Sequence, residues 1–300
     1  MELPATGHES VLLGEVLKYL APRPGMVFVD CTLGRAGHAS AVAQQLGAEG
    51  LLIGLDVDPR NLEFAQARLA AAPCRVRLFH ANFSELDEVL RKAGLKEVDA
   101  IFADLGVSTN QLFDAQYGLS FAQEMPLDMR LDPRTRHSAA DVVNNLREDD
   151  LANVLYELAQ ERYSRRIARK IGEARRLSPI TSTERLADLV RSAIPRRGGA
   201  PEKIDPATRT FLALRMHVNQ EMKNLEALLN RGPMVLGRGG TMGVISFQSM
   251  EDRLVKQQFR SLEQAGHVRV LTKKPVGPAD AEVAANPRSR SAKLRVAQRV

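Results

Sequence analysis

Residues 26–56, MVFVDCTLGRAGHASAVAQQLGAEGLLIGLD, decide the fold. MVFVD (26–30) is a short run of the apolar, β-branched type that fills a buried strand, and LLIGLD (51–56) is a second one. Between them, HASAVAQQLG (38–47) has helical spacing and is stopped by Gly47. A strand, a glycine-bearing turn, a helix and a strand form the unit of a parallel sheet, whose strands need a crossover connection. The pattern repeats downstream. PRNLEFAQARLAA (59–71) predicts a helix with Pro59 at its start, and RVRLFH (75–80) a third strand. SELDEVLRKAG (84–94) predicts a helix capped by Ser84 and stopped by Gly94, and VDAIFADLG (98–106) a fourth strand. Upstream, HESVLLGEVLKYL (8–20) predicts a helix broken by APRPG (21–25). Near-continuous apolar strands joined by helices predict a parallel sheet covered on both faces.

The alternation stops after Gly106. Two polar stretches follow, STNQLFDAQYGLSF (108–121) and LDMRLDPRTR (127–136), and then a helical region to about Ile194. In that region 148–176 reads as one amphipathic run, and a second helix starts with Thr181 and Glu184 at capping-box spacing. PRRGGAPEK (195–203) reads as a connector, and residues 206–229 as one long helix with Pro206 in its first turn. Strand signals return at TMGVISF (241–247), HVRVLT (267–272) and KLRVAQR (293–299), with a helix over 249–266. The simplest organisation is one α/β domain, residues 1–107 and 206–300, interrupted by a helical insertion at 108–205.

Composition narrows the class of protein. Of 300 residues, 44% are hydrophobic and 26% charged, which fits a globular chain and excludes a disordered one. No window approaches the roughly 18 apolar residues of a membrane span. The start MELPATGHES has no signal-peptide pattern, and the only cysteines are Cys31 and Cys74. These features predict a cytoplasmic protein with no disulfide, and no Cys/His cluster has zinc spacing. Charge is uneven. Residues 1–120 carry 10 Lys and Arg against 15 Asp and Glu, whereas residues 121–300 carry 32 against 21. A basic second part suits a polyanion such as nucleic acid, or is simply a solvated surface. With no Trp and four Tyr, phosphate contacts are favoured over base stacking.

Four features fall at the carboxyl ends of the first four strands. DCTLGRAGH (30–38) places Gly34 and Gly37 before a helix N-terminus, with Asp30 leading the turn. This is not the dinucleotide GxGxxG, and a carboxylate there suits an ammonium better than a pyrophosphate. Alone, it also fits a structural turn. Asp56 ends strand two at the spacing of a ribose-binding acid, although it is also placed to open the next helix. Phe83 follows strand three, where an adenine would lie, and Asp104 ends strand four. Together they imply an adenosyl ligand with an amino-acid end, S-adenosylmethionine.

Over nearly its whole length the chain also resembles the RsmH/MraW family. The resemblance is carried by HESVLL, DCTLGRAGH, DLGVSTNQL, PLDMRLD, ERYSRRIARKI, PATRTFLALR, SFQSMEDRLVK and NPRSRSAKLR. It implies a class I, Rossmann-like S-adenosylmethionine methyltransferase sheet with an inserted α-helical domain. The implied reaction is methylation of the N4 amine of a cytidine, position 1402, in 16S ribosomal RNA of the small ribosomal subunit. The resemblance also implies that Ala36, Gly37, His38, Asp56, Phe83, Asp104 and Gln111 hold the cofactor, with Gly34 in the same loop. Asp104 is the first candidate catalytic acceptor, and Asp128 and Arg130 are second candidates. Arg165, Arg166, Arg169 and Lys170, with Arg288, Arg290, Lys293 and Arg295, are expected to meet RNA, and His217 and Asn219 to face the target base. A homodimer is left open. The chain departs from the family pattern at Ala36, where glycine is usual, and at Gln248 and Asp205, where histidine is usual. The competing readings are a methyltransferase for another amine, in DNA, protein or a small molecule, and a non-catalytic ribosome-assembly factor.

Overall fold

The computed structural model describes residues 10–195 and 205–300, which form two compact units: residues up to Gly106 together with Met222–Val300, and Val107–Glu221. In the first unit α1 (Leu13–Leu20), β1 (Val27–Asp30), α2 (Gly37–Leu46), β2 (Leu51–Asp56), α3 (Pro59–Arg68), β3 (Arg75–His80), α4 (Leu86–Ala93) and β4 (Val98–Asp104) follow in order. The second unit holds α5 (Thr109–Phe113), α6 (Ala139–Asn145), α7 (Glu148–Ala159), α8 (Ser164–Leu177), α9 (Thr183–Ala193) and α10 (Ala207–Val218). The first unit resumes within α11 (Glu221–Arg231) and adds β5 (Leu236–Ser246), α12 (Ser249–Gln264), β6 (Val268–Val270), α13 (Asp280–Ala285) and β7 (Lys293–Arg299).

The seven strands form one sheet in the order β3-β2-β1-β4-β5-β7-β6. The pairs among β1 to β5 are parallel, and β7 runs antiparallel between β5 and β6. The strand order reverses between β1 and β4, so their carboxyl ends open a crevice, the usual ligand position in such sheets. One face is covered by α4, α11 and α12 through Val89, Leu228 and Phe259, and the other by α1 and α2 through Val16, Val42 and Leu46. Each of these core side chains contributes roughly 1.5–3 kcal/mol by leaving water.

The helical unit has its own core, in which Leu151, Leu155, Ile167, Ile171 and Leu186 meet Ala207, Phe211 and Leu214 of α10. That packing corrects the second expected boundary. Residues 206–221 belong to the helical unit, because α10 buries its apolar residues there. Two expected single helices are broken where Gln160 (φ 53°) and Gln220 (φ 50°) take left-handed conformations. Asn219, in the second break, donates from Nδ2 to the Met129 carbonyl at 2.8 Å and accepts from the Leu131 amide at 2.9 Å. It therefore braces the helical unit.

Caps also differ by a residue or two from expectation. Asn82, not Ser84, caps the turn before α4, and Ser182, not Thr181, caps α9. The first helix starts only at Leu13, because Leu12 is left-handed (φ 56°) and its amide donates to Glu282 Oε1 at 2.8 Å. Of the 195–203 connector, all but Pro195 lies outside the described residues.

Candidate cofactor site

The site is assembled where β1, β2 and β4 end. Each of these strands closes on an aspartate, because the last residue of a buried parallel strand is where a carboxylate can leave the apolar core. Asp30 is 1% exposed and accepts from the Thr32 amide at 3.1 Å. Asp56 is more heavily bonded. Its Oδ2 accepts from the Gly34 amide at 2.7 Å, its Oδ1 from the Asp58 amide at 2.8 Å, and Asn61 Nδ2 stands 3.4 Å from both oxygens. Asp56 thus fixes the 31–36 loop, and the long 3.4 Å contacts from Asn61 are the ones a stronger donor would displace.

The loop is further tied by the Cys31 amide to the Phe102 carbonyl (2.8 Å) and the Leu33 amide to the Leu55 carbonyl (2.9 Å). Gly34 is left-handed (φ 52°), as is Ala36 (φ 60°), which directly precedes α2. Opposite the loop, a Cβ on Gly54 would come within 2.8 Å of both Leu33 methyls. The bare backbone of β2 is therefore what lets Leu33 seat and the loop close over the strand ends.

Asp104 receives no comparable support. Its amide donates to Thr32 Oγ1 at 2.6 Å, but its carboxylate Oδ1 has no hydrogen-bond partner among the described residues. Oδ2 lies 3.8 Å from His38 Nδ1. The His38 ring packs 4.7 Å from Phe102, and its Nε2 lies 2.9 Å from the Val11 carbonyl. The His38 side chain thus joins the segment before α1 to Asp104, while its backbone stands in the first turn of α2. Phe83 sits half-buried at the end of β3, against the core beneath.

The electrostatics are those of an acidic pocket short of cations. Burial pushes Asp30 up to about 7, with a further contribution from the Asp56 charge. Burial likewise raises Asp56 to about 6 against the lowering effect of its hydrogen bonds. Asp104 is driven highest, to about 8, by burial and then by the charges of Asp30 and Glu251. Sequence reasoning left Glu251 out of the site. It is 3% exposed at the start of α12, and its Oε2 accepts from the amides of Phe247 and Gln248, both at 3.0 Å. The signal was available in SFQSMEDR (246–253), where an acid stands three residues after the residue preceding the helix.

The sheet unit therefore brings together Gly34, Ala36, Gly37, His38, Asp56, Phe83 and Asp104. Gln111 lies in the helical unit, where its Oε1 accepts from the Ser108 amide at 3.1 Å at the start of α5. Asp128 and Arg130 form a two-pronged pair, Nε–Oδ1 and Nη2–Oδ2 both at 2.7 Å, and Arg130 Nη1 also donates to the Thr135 carbonyl. His217 is half-buried, and burial lowers its pKa. Arg295, expected to meet RNA, is set back from the open surface. It is only 5% exposed and is held by Asp252.

A ligand suited to this pocket carries positive charge beside a nucleoside. The strand order and the aspartates ending β1, β2 and β4 define a class I, S-adenosylmethionine-dependent methyltransferase. The buried, raised carboxyls at the strand ends fit the ammonium and sulfonium of that cofactor. Within this class, the chain belongs to the MraW methylase family, whose family model matches residues 5–300. A ribosomal RNA small subunit methyltransferase H of Syntrophotalea carbinolica is 46% identical over 98% of this chain and 98% of its own. The protein of that name from Geobacter sulfurreducens is also 46% identical, over 98% and 99% of the two chains. The one from Clostridioides difficile is 39% identical over the same shares.

Proposed function

We propose that this chain transfers a methyl group to the exocyclic N4 amine of a cytidine in the 16S ribosomal RNA of the small ribosomal subunit. The names of its relatives support the RNA and the subunit. The observation that carries the chemistry is a buried carboxylate at the end of β4 with one oxygen unpartnered. S-adenosylmethionine supplies, when bound, an electrophilic methyl for in-line displacement.

In this reading the Gly34–His38 turn offers backbone amides at the start of α2, Asp56 takes the ribose hydroxyls, and Phe83 packs on the adenine. The cytosine N4 lone pair is delocalised into the ring, so the amine is a weak nucleophile. Holding it in line supplies up to ~7–11 kcal/mol of the barrier reduction. Asp104 Oδ1 accepts a hydrogen bond from N4–H, which favours pyramidal nitrogen and stabilises the positive charge that grows there. The proton leaves late, when N4 is cationic, and passes to the Asp104 carboxylate already hydrogen-bonded to it, so no strong base is needed.

The test is incubation of purified protein with radiolabelled S-adenosylmethionine and small ribosomal subunits, followed by digestion to nucleosides. Label in N4-methylcytidine of 16S RNA is expected. Label confined to another nucleoside, to ribosomal protein or to neither rejects the proposal.

A further inference from the structure

The positive surplus of the chain does not sit in the helical insertion. Residues 107–221 carry 18 Lys and Arg against 16 Asp and Glu, whereas residues 222–300 carry 14 against 6. Part of that surplus converges on one cleft of about 190 Å³ beside α12, β6 and β7, lined by Lys256, Arg260, Lys273 and Arg295 with Thr272 and a single acid, Glu263.

The cleft is built around Arg295. Its guanidinium is oriented by Asp252, with Nε–Oδ1 at 2.6 Å and Nη2–Oδ2 at 3.3 Å. The remaining nitrogen, Nη1, has no partner among the described residues. Glu263 is partly committed, since its Oε1 accepts from the Val270 amide at 2.8 Å. Arg260 and Lys273 are exposed and make no ion pair among the described residues, and Lys256 is half-buried within the field of Asp252. Four cations against two acids leave an unanswered positive charge in a concave, partly desolvated place, where an anion is held more strongly than on open surface. One guanidinium nitrogen held in place by the Asp252 pair, with the longer, flexible cations of Lys256, Arg260 and Lys273 around it, suits phosphate oxygens.

The position gives the anion an identity. β6 is parallel to β5, so Thr272 and Lys273 follow its end on the same sheet edge as Asp104, and Arg295 pairs with Val244 two residues before β5 ends. At ~4.8 Å per strand, β7 and β6 stand roughly 10–14 Å from β4 along that edge. A few nucleotides of single strand cover this span. We propose that the Lys256–Arg260–Lys273–Arg295 cleft holds backbone phosphates of the RNA next to the methylated nucleotide; this rests on the reading of the substrate as RNA.

The test uses the full chain with Lys256, Arg260 and Lys273 all changed to Glu, leaving Arg295 and the core intact. Binding of a fluorescent single-stranded oligoribonucleotide is titrated across salt, with inorganic phosphate and polyglutamate as comparison ligands. The variant is expected to lose at least about tenfold in RNA affinity. Its log–log salt slope should become shallower by about 2, from ~0.7 per phosphate contact. S-adenosylmethionine uptake should be unchanged. Wild-type RNA affinity and slope in the variant overturn the proposal, as does wild-type binding of free phosphate or polyglutamate as tight as that of RNA. If wild-type protein methylates small subunits while the variant binds RNA normally, the cleft fails and the substrate stands. If no subunit is methylated yet the variant loses oligoribonucleotide binding, the substrate fails and the cleft stands.

Discussion

His38 Nδ1 lies 3.8 Å from Asp104 Oδ2, and the other oxygen of that carboxylate has no hydrogen-bond partner among the described residues. The imidazole is the cation-capable group the structure sets beside a carboxyl whose neighbours, Asp30 and Glu251, repel its charge. Asp104 is thus kept in a poor state by its own protein, and a cationic ligand improves it.

Asp104→Ala is expected to reduce methyl transfer by about a hundredfold or more, as loss of one preorganised transition-state contact does elsewhere. The same change should stabilise the cofactor-free protein at high pH. The folded pKa of Asp104, about 8, lies well above the ordinary carboxylate value of the unfolded chain, so its contribution is fully present below the unfolded pKa and is lost as pH rises through 8. Removing it should raise stability at pH 9 by at least about 1 kcal/mol, roughly the worth of one pKa unit. Thermal unfolding across pH 5–9 checks this, and an alanine variant less stable than wild type at pH 9 refutes it.

Cofactor uptake near pH 7 should release about one proton, because Asp30 (about 7) and Asp104 (about 8) are partly protonated in the free protein and a cation pulls both down. Calorimetric titration in two buffers of different ionisation heat measures the release. It should fade as the pH approaches 9, and identical heats in both buffers at pH 7 contradict the assignment.

Asp56→Asn replaces an acceptor that two backbone amides require. Charge-assisted bonds of this kind contribute about 1.5–3 kcal/mol, so cofactor affinity should fall roughly tenfold to a hundredfold. Turnover at saturating cofactor should fall less. A Kd within twofold of wild type means that Asp56 is not holding the loop.

Gly54→Val drives a side chain into the Leu33 methyls. Overpacking of this type costs about 1–3 kcal/mol. The loop should loosen with it, weakening cofactor binding, and Leu33→Ala in the same chain should recover part of the stability. Denaturant midpoints of the two variants decide the point.

The strands were legible because a parallel strand buried on both faces has no reason to alternate, and MVFVD, LLIGLD and DAIFAD do not. The crevice was legible for the same reason: an acid ending such a run stands out. What sequence could not give is partnership across the chain. Residues 206–229 keep helical spacing throughout, so nothing local marks the break at Gln220 or assigns α10 to the helical core. Arg295 reads as one basic residue among many in a basic tail. Only the sheet, by placing it over Asp252, makes it a buried pair. Glu251 passed unnoticed because its influence on Asp104 comes from α12, far along the chain.

The excursion between Asp104 and Leu236 leaves β4 without its outer neighbour for about 130 residues of synthesis. At ~5–20 residues per second that lasts roughly 7–26 s, during which an almost wholly apolar strand edge waits on the growing chain. The connectivity thus sets an interval of exposure during synthesis that the finished sheet does not show. Until Leu236 emerges, the half-built sheet has one side still to be closed.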